Sequence, residues 1–204
     1  MNNLDRIQKE ANKIFTNFSK SISSISINRD FECVIHSLLA LKNSDNKVIT
    51  TGMGKAGIAM RKFSSTLCSL GFPSAYLHPG EASHGDLGLL RPKDILFVAS
   101  TSGKTREIME IMELARKVNV QKIIGITSHP DSPVRKKCDL VIDMGDIKEA
   151  GHLGLAPTTS ILKMIALTDS IALIAAKESN FTKEDYALRH HSGYLGQAAK
   201  GDKK

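Results

Sequence analysis

The chain contains little cysteine, few aromatic residues and no tryptophan. Of its 204 residues, three are cysteines and 5% are aromatic. Cys33, Cys68 and Cys138 lie far apart and none belongs to a CxxC pair, so the sequence predicts neither a disulfide framework nor a zinc site built on cysteine pairs. Unpaired cysteines are typical of a reducing compartment, and we therefore expect a cytoplasmic protein.

Signals for membranes and nucleic acids are also lacking. Residues 1–6 do not form the apolar core of a signal peptide. The longest apolar stretch, 161–176, is interrupted by polar residues and is too short to span a bilayer. The net charge of +7 includes a basic tail at 198–204, which we expect to be flexible, and no Lys/Arg block is interleaved with aromatic residues. We thus predict no membrane and no nucleic-acid partner, whereas a mild positive charge suits an anionic small substrate.

A regular alternation of strand and helix patterns is what the chain does contain. Residues 1–28 repeat apolar side chains at three- and four-residue steps, which predicts an N-terminal helix. After a second helix at 31–41, short aliphatic runs alternate with helical segments. This alternation requires crossover connections and predicts one α/β domain over 1–204, a three-layer sandwich in which helices cover both faces of a five-stranded parallel sheet. The predicted strands are 48–51, 75–77, 95–99, 122–127 and 140–144, and the helices among and after them are 58–70, 104–118, 132–137, 157–176 and 182–188.

The turn between the third strand and its helix is rich in hydroxyl groups. Ser100, Thr101, Ser102 and Thr105 lie within six residues, next to the N-terminus of the predicted helix. Free N–H groups and the positive end of the helix dipole converge there, which favours phosphate binding. An ordinary Ser or Thr helix cap is the alternative interpretation, although a cap needs only one hydroxyl.

A glycine-rich turn follows the first strand. Gly52, Met53, Gly54 and Lys55 match neither the GxGxxG fingerprint nor the Walker A loop. Lys55 is therefore either a solvated residue of a tight turn or a functional cation. Because ligands of open α/β sheets bind beyond the carboxyl ends of the strands, we expect this turn and residues 100–105 to line one crevice.

Several titratable residues lie in predicted loops or at helix ends, and each has a structural alternative. Glu107 is in the first turn of the helix after the hydroxyl-rich turn, where it is favourably placed toward the helix dipole. Glu149 follows the fifth strand and either reaches the crevice or is a solvated loop acid. His78 and His84 are six residues apart, which is no standard metal spacing. His190 follows the last helix, where it either caps the helix or is solvated.

Five segments share their residues and their order with one protein family: 51–57, 78–88, 100–103, 149–160 and 186–190. On these segments, the chain from about residue 30 to 197 resembles the sugar isomerase (SIS) domain family. Most narrowly, it resembles the D-arabinose 5-phosphate isomerases of lipopolysaccharide and capsule synthesis. The CBS domains that follow the isomerase domain in many relatives are not present in these 204 residues.

The resemblance implies a flavodoxin-like SIS fold, usually a homotetramer, with active sites at subunit interfaces. It implies a catalytic set of Lys55, Glu107, Glu149 and His190, with His190 coming from its own or a neighbouring subunit. It further implies no cofactor, an inhibitory zinc ion that could bind at His78 and its neighbours, and a cytidine-linked sugar as feedback ligand. The substrate-binding residues we expect are Gly52, Gly54, His84, Ser100, Thr101, Ser102 and Thr105.

The sequence departs from the family pattern in the hydroxyl-rich turn. The common loop Ser-Asn-Ser-Gly-Glu is here Ser-Thr-Ser-Gly-Lys, because Thr101 and Lys104 replace the Asn and the Glu. Lys104 adds a positive charge that is compatible with phosphate binding. These changes bear on the identity of the substrate more than on the type of reaction.

The activity implied is the interconversion of D-ribulose 5-phosphate and D-arabinose 5-phosphate through a cis-enediol, which supplies Kdo synthesis for lipopolysaccharide or capsule. Such a reaction needs a base over the carbon acid, a donor for the oxyanion and exclusion of water. Glu149 is the base we favour, and Glu107 is its rival. His190 or His84 would move protons between oxygens or assist ring opening, and Lys55 would stabilise the enediolate or hold substrate hydroxyls. The alternatives are another phosphosugar isomerase and a non-catalytic phosphosugar-binding module.

Overall fold

Five parallel strands form one sheet at the centre of the molecule. The computed structural model describes residues 2–42, 44–191 and 196–197, so the tail predicted at 198–204 lies outside the described residues. The strand order is β2-β1-β3-β4-β5, and every neighbouring pair is parallel. The predicted fold class is therefore confirmed. The strands are β1 Val48–Gly52, β2 Ser74–Tyr76, β3 Ile95–Ala99, β4 Lys122–Thr127 and β5 Leu140–Asp143.

Helices cover both faces of the sheet, as the strand–helix alternation predicts. Most boundaries differ from the expected ones by a few residues. Two short helices between residues 79 and 89 were not predicted, because four-residue elements are too short to show a period. The helices are α1 Asn3–Ser23, α2 Arg29–Leu39, α3 Gly54–Ser69, α4 Pro79–Ala82, α5 Arg106–Lys117, α6 Pro133–Lys137, α7 Thr159–Glu178 and α8 Lys183–Arg189, with a 3-10 helix at Asp86–Leu89.

The alternating side chains of the strands build two cores, one on each face. On the face covered by α2, α3 and α7, the Phe63 and Phe97 rings meet edge to face with centroids 5.2 Å apart. On the face covered by α5 and α6, Leu96 and Val98 pack against Ile108. Both faces of the strands are buried, which explains why the strands appear in the sequence as short aliphatic runs.

Helix α7 is long and apolar enough to pass for a membrane span by length and composition. This corrects the expectation that the 161–176 stretch is too short and too polar, because the helix is 20 residues long and its apolar residues outnumber the polar ones. In the structure it packs against α1, α2 and α3, and Met164, Leu167 and Ile171 are buried. Here α7 therefore serves as a core helix.

The strand order reverses between β1 and β3, so the helices that follow these two strands pass to opposite faces of the sheet. Such a reversal opens a crevice at the carboxyl edge. The structure thus brings the ends of β1 and β3, and the turns that follow them, to one place. All three cysteines, which lie elsewhere, are free.

Candidate active site

A cleft of about 520 Å³ lies beyond the carboxyl ends of β1 and β3. Both turns that we expected to share a crevice contribute to its walls. The beginning of α7 and one residue after β4 close the other sides. The lining residues are Met53, Gly54, Lys55, Ala56, Ala99, Ser100, Thr101, Ser102, Thr105, His129, Glu149, Pro157, Ser160 and Ile161.

The hydroxyl-rich turn is held closed by its own hydrogen bonds. The hydroxyl oxygens of Ser100 and Thr105 are 2.8 Å apart, and the N–H of Gly103 donates to Ser100 Oγ at 3.0 Å. Gly103 has a φ of +62°, and a Cβ there would lie 2.2 Å from Ser132 Oγ. Only glycine fits this position, because a side chain would be both strained and in collision.

The N-termini of α3 and α5 both face the cleft without a side-chain cap. The N-cap residues, Met53 and Thr105, make no capping hydrogen bond. The Thr105 hydroxyl bonds to the Ser100 hydroxyl instead of to α5, so the simple cap interpretation of this turn is wrong. First-turn N–H groups and the positive ends of two helix dipoles are thus directed at one volume, an arrangement that attracts an anion.

Lys55 lies in the first turn of α3, on the wall of the cleft, and its side chain is exposed. The turn before it is braced by Tyr76, whose hydroxyl donates to the carbonyl of Gly52 at 2.6 Å. Burial raises the pKa of Tyr76, so the phenol stays a donor. Gly57 allows α3 to approach β1, because a Cβ there would lie 2.4 Å from the Gly52 oxygen. Gly52 itself, with its carbonyl engaged, is not on the cleft wall, whereas Gly54 is.

Glu149 caps helix α7. Its Oε2 accepts from the N–H groups of Thr158 and Thr159, both at 2.8 Å, and of Ser160 at 3.4 Å. The N–H of Ala150 donates to Thr159 Oγ1 at 3.0 Å, which ties the next residue to the same helix turn. The carboxylate is therefore fixed on the cleft wall and is not the solvated loop acid of the alternative interpretation. Among the described residues, Oε1 accepts no hydrogen bond.

Besides Gly52, three expected catalytic or substrate-binding residues are not on the wall of the cleft. Glu107 is partly buried in the first turn of α5, and His84 is exposed between α4 and the 3-10 helix. His190 follows α8, where its ring stacks on Tyr186 with centroids 3.9 Å apart and its Nδ1 lies 3.0 Å from the Tyr186 carbonyl oxygen. The single chain therefore does not assemble the expected catalytic set in one place.

The position of α8 explains why His190 is remote. Gly71 links α3 to β2 and so lies at the amino edge of the sheet, opposite the cleft. A Cβ at Gly71 would lie 2.8 Å from the Phe181 ring and 3.5 Å from the guanidinium of Arg189. Residues 181–190 thus pack at the amino edge, and the His190 of one chain does not reach its own cleft.

The expected zinc site at His78 has no ligand set. His78 is the N-cap of α4, and its Nδ1 accepts from the N–H of Gly80 at 3.2 Å. Over the part of the chain that the structure describes, no group of three or more His, Cys, Asp or Glu side chains is placed to hold a metal ion. Zinc at His78 therefore stays an expectation from the resemblance, which no ligand set among the described residues supports.

Two cleft residues were missed as site candidates. His129 comes two residues after β4, and its Nδ1 lies 3.3 Å from the Thr101 carbonyl oxygen and 3.1 Å from Ser128 Oγ. Its position beyond the carboxyl end of a strand was the signal that could have identified it. Ser160 is buried, and within the described ranges its hydroxyl has no hydrogen-bond partner. Its signal was the hydroxyl-rich start of the predicted helix.

A parallel sheet of this order, with a cleft where the order reverses, defines a doubly wound α/β protein of the flavodoxin-like type. The model of the SIS domain family matches residues 40–174. The chain therefore belongs to the SIS domain family, and the resemblance seen in the sequence segments is confirmed.

Solved and curated relatives agree with this family. The structure of E. coli CFT073 c3406 in complex with arabinose 5-phosphate is 33% identical, with a TM-score of 0.85, and the match covers 93% of this chain and 100% of that one. The arabinose 5-phosphate isomerase KdsD of Escherichia coli K12 is 38% identical over 171 residues, which are 84% of this chain and 51% of KdsD. The KdsD of Francisella tularensis SCHU S4 is 37% identical over 172 residues, 84% of this chain and 52% of that protein. The chain thus spans about half the length of the curated relatives it matches.

Proposed function

We propose that the protein is an aldose–ketose isomerase that interconverts D-ribulose 5-phosphate and D-arabinose 5-phosphate. One observation carries the proposal: a single cleft combines the hydroxyl-rich turn, the Lys55 cation and the fixed Glu149 carboxylate. Similarity to the KdsD proteins and to c3406 in complex with arabinose 5-phosphate supports this choice of substrate. Internal proton transfer changes no oxidation state of the molecule as a whole, so the reaction needs no redox cofactor.

The phosphate would bind at residues 100–105. The hydroxyls of Ser102 and Thr101 and the uncapped N-terminus of α5 supply neutral donors, and Lys55 supplies a positive charge. Backbone N–H groups at a helix start bind phosphate without any change of fold. Lys104, exposed in the same turn, adds to the positive potential.

Glu149 would act on the carbonyl end of the sugar. In the conversion of the aldose to the ketose, Oε1 removes the proton from C2 of open-chain arabinose 5-phosphate, which gives the cis-enediol, and returns it to C1. The proton on the C2 oxygen moves to the C1 oxygen in the same conversion, so atoms and charge balance. A carboxylate whose other oxygen is anchored by three N–H groups is held in one orientation, which favours catalysis. Glu107, off the cleft wall, remains the rival base.

The proton transfer between oxygens would need a second group. His190 can serve only if another copy of the chain supplies it, because in its own chain it lies at the opposite edge of the sheet. A homotetramer would provide such a copy. Helix α1 supports this assembly, because it has no buried residue and exposes Leu4, Ile7 and Phe15 by 70%, 55% and 64%. His84, which is exposed, is the other candidate for the proton transfer between the sugar oxygens.

The biological setting extends the same proposal. Arabinose 5-phosphate would supply Kdo for lipopolysaccharide or capsule in the cytoplasm, and a cytidine-linked sugar made downstream would be the feedback ligand. The free state of Cys33, Cys68 and Cys138 supports a reducing compartment.

The test is incubation of the protein with D-ribulose 5-phosphate and detection of D-arabinose 5-phosphate by NMR. We expect the aldose to appear until equilibrium, with solvent deuterium at its C2. Conversion of a hexulose or heptose phosphate instead would indicate a different phosphosugar isomerase. Tight binding of arabinose 5-phosphate without turnover would indicate a phosphosugar-binding module.

A further inference from the structure

A buried lysine lies under the loop that carries Glu149. Lys163 is on α7 and is 1% exposed. Its Nζ lies 3.2 Å from Ser24 Oγ, at the end of α1, and 3.5 Å from the carbonyl oxygen of Asp146. A Cβ placed on Gly145 would lie 3.6 Å from the same nitrogen, so the loop passes directly over it.

Burial of the Lys163 side chain is unfavourable for the stability of the fold. Among the described residues, no carboxylate lies within ion-pair distance of Lys163, and an unpaired ammonium in the interior is unfavourable. Burial lowers the pKa of Lys163, while the negative charges of Asp143 and Asp146 oppose the decrease. An apolar side chain of similar length would pack here without that cost, so stability alone does not explain a lysine at this position.

The loop after β5 is attached to α7 in two regions, and in the second of them Ala150 also bonds to Thr159 Oγ1. At its beginning, Lys163 bonds to the Asp146 carbonyl, and three residues later the Glu149 carboxylate bonds to the first turn of α7. The base of the loop is fixed as well, because Asp143 pairs with Arg135 at 3.1 Å and accepts from the N–H of Gly145 at 2.7 Å. Removing the Lys163 contact would remove the anchor before Glu149 and leave the loop held by the Glu149 carboxylate, the hydrogen bond from Ala150 to Thr159 and the packing of Ile147 on the core.

We infer that Lys163 is a positioning residue for Glu149: it fixes the loop after β5 to α7 and thereby holds the carboxylate at the cleft. This inference rests on the proposed function, in which Glu149 is the base. Small displacements of a catalytic group reduce the rate strongly, by as much as about a hundredfold for 1 Å. The phosphate turn is formed by other segments and does not depend on Lys163.

The first test is Lys163→Met, with Lys177→Met as control, since Lys177 is an exposed lysine in the last turn of the same helix. We expect kcat of Lys163→Met to fall about tenfold or more, for a displacement well below 1 Å, with KM within twofold of wild type. The melting temperature should stay equal or rise, because a buried charge is removed. A wild-type kcat, or a loss of kcat accompanied by an equal loss in the control, would overturn the inference.

A double-mutant cycle shows whether Lys163 acts through Glu149. The substitution should reduce kcat in the wild-type background and have little effect in the Glu149→Gln background. In the Glu149→Gln background the reaction is slow, so its rate is measured as the incorporation of solvent deuterium into the sugar over days. The same cycle with Lys163→Gln covers the case in which the Met variant does not fold, because the Gln amide is one bond shorter than the lysine and cannot reach the Asp146 oxygen, which is already 3.5 Å from Nζ. Equal losses of kcat in both backgrounds would refute the positioning role of Lys163 but not the proposed base. A wild-type kcat in the Glu149→Gln single variant would refute Glu149 as the base.

Discussion

The two roles of Glu149, helix cap and base, can be separated by two substitutions. Glu149→Gln keeps an amide oxygen that can accept from the same three N–H groups but loses the negative charge. The lost charge–dipole interaction is about 0.3–1 kcal/mol. Glu149→Ala removes the acceptor as well as the charge, and the lost cap alone costs about 0.5–2 kcal/mol. For a chain of this length, 1 kcal/mol lowers the melting temperature by about 2–4 °C.

The rates should follow a different pattern from the stabilities. Loss of a general base reduces kcat by about 10²–10⁴-fold, and both variants lack the carboxylate. We therefore expect similar large losses of kcat in the Glu149→Gln and Glu149→Ala variants, measured by conversion of ribulose 5-phosphate. The melting temperature should fall distinctly more in Glu149→Ala. Near-wild-type kcat in Gln together with a large loss in Ala would show that Glu149 is only a cap, and would refute the reasoning.

Three further predictions concern the turn and the buried lysine. Ser102→Ala should raise KM for phosphorylated sugars about tenfold in steady-state assays and change kcat little, because a hydrogen bond to a charged group contributes about 1.5 kcal/mol or more. An unchanged KM would indicate that the phosphate binds elsewhere. Gly103→Ala should lose at least about 1–2 kcal/mol from the left-handed backbone alone, and the collision with Ser132 Oγ at 2.2 Å should add to this; denaturant unfolding with wild-type stability would contradict the turn geometry. Burial lowers the pKa of Lys163, so the unfolded chain binds more protons between the two pKa values and wild-type stability rises with pH there. The stability advantage of Lys163→Met should therefore shrink as pH increases toward 10.5, the ordinary lysine value, and a constant difference across that range in urea titrations would argue against a buried charge.

The sheet could be predicted from the sequence because its strands are buried on both faces. Short aliphatic runs separated by helical periods leave few other folds, and the ends of parallel strands must meet at one edge. The shared crevice of the two turns followed from that topology alone. Elements of four residues, such as α4, could not be predicted, because a single turn carries no periodic signal.

The finer features of the site depend on contacts that no spacing rule describes. Glu149 was expected in the crevice, but its bonds to the start of α7 depend on how residues 144–158 fold back. His129 was overlooked because neither of its neighbours suggests a site. His190 lies at the wrong edge of its own chain, since α8 packs beside Gly71. The sequence therefore predicted the strand ends that form the cleft. It did not predict as well which side chains from distant segments reach these strand ends.

The central claim is that the sugar phosphate binds at residues 100–105 while Glu149 faces the carbonyl end of the same molecule. A crystal structure of the Glu149→Gln protein soaked with arabinose 5-phosphate tests it most directly. The account predicts phosphate oxygens within hydrogen-bond distance of Ser102 and the first turn of α5, with C1 and C2 next to residue 149. A sugar bound in the reverse orientation, or at the amino edge of the sheet, would contradict it.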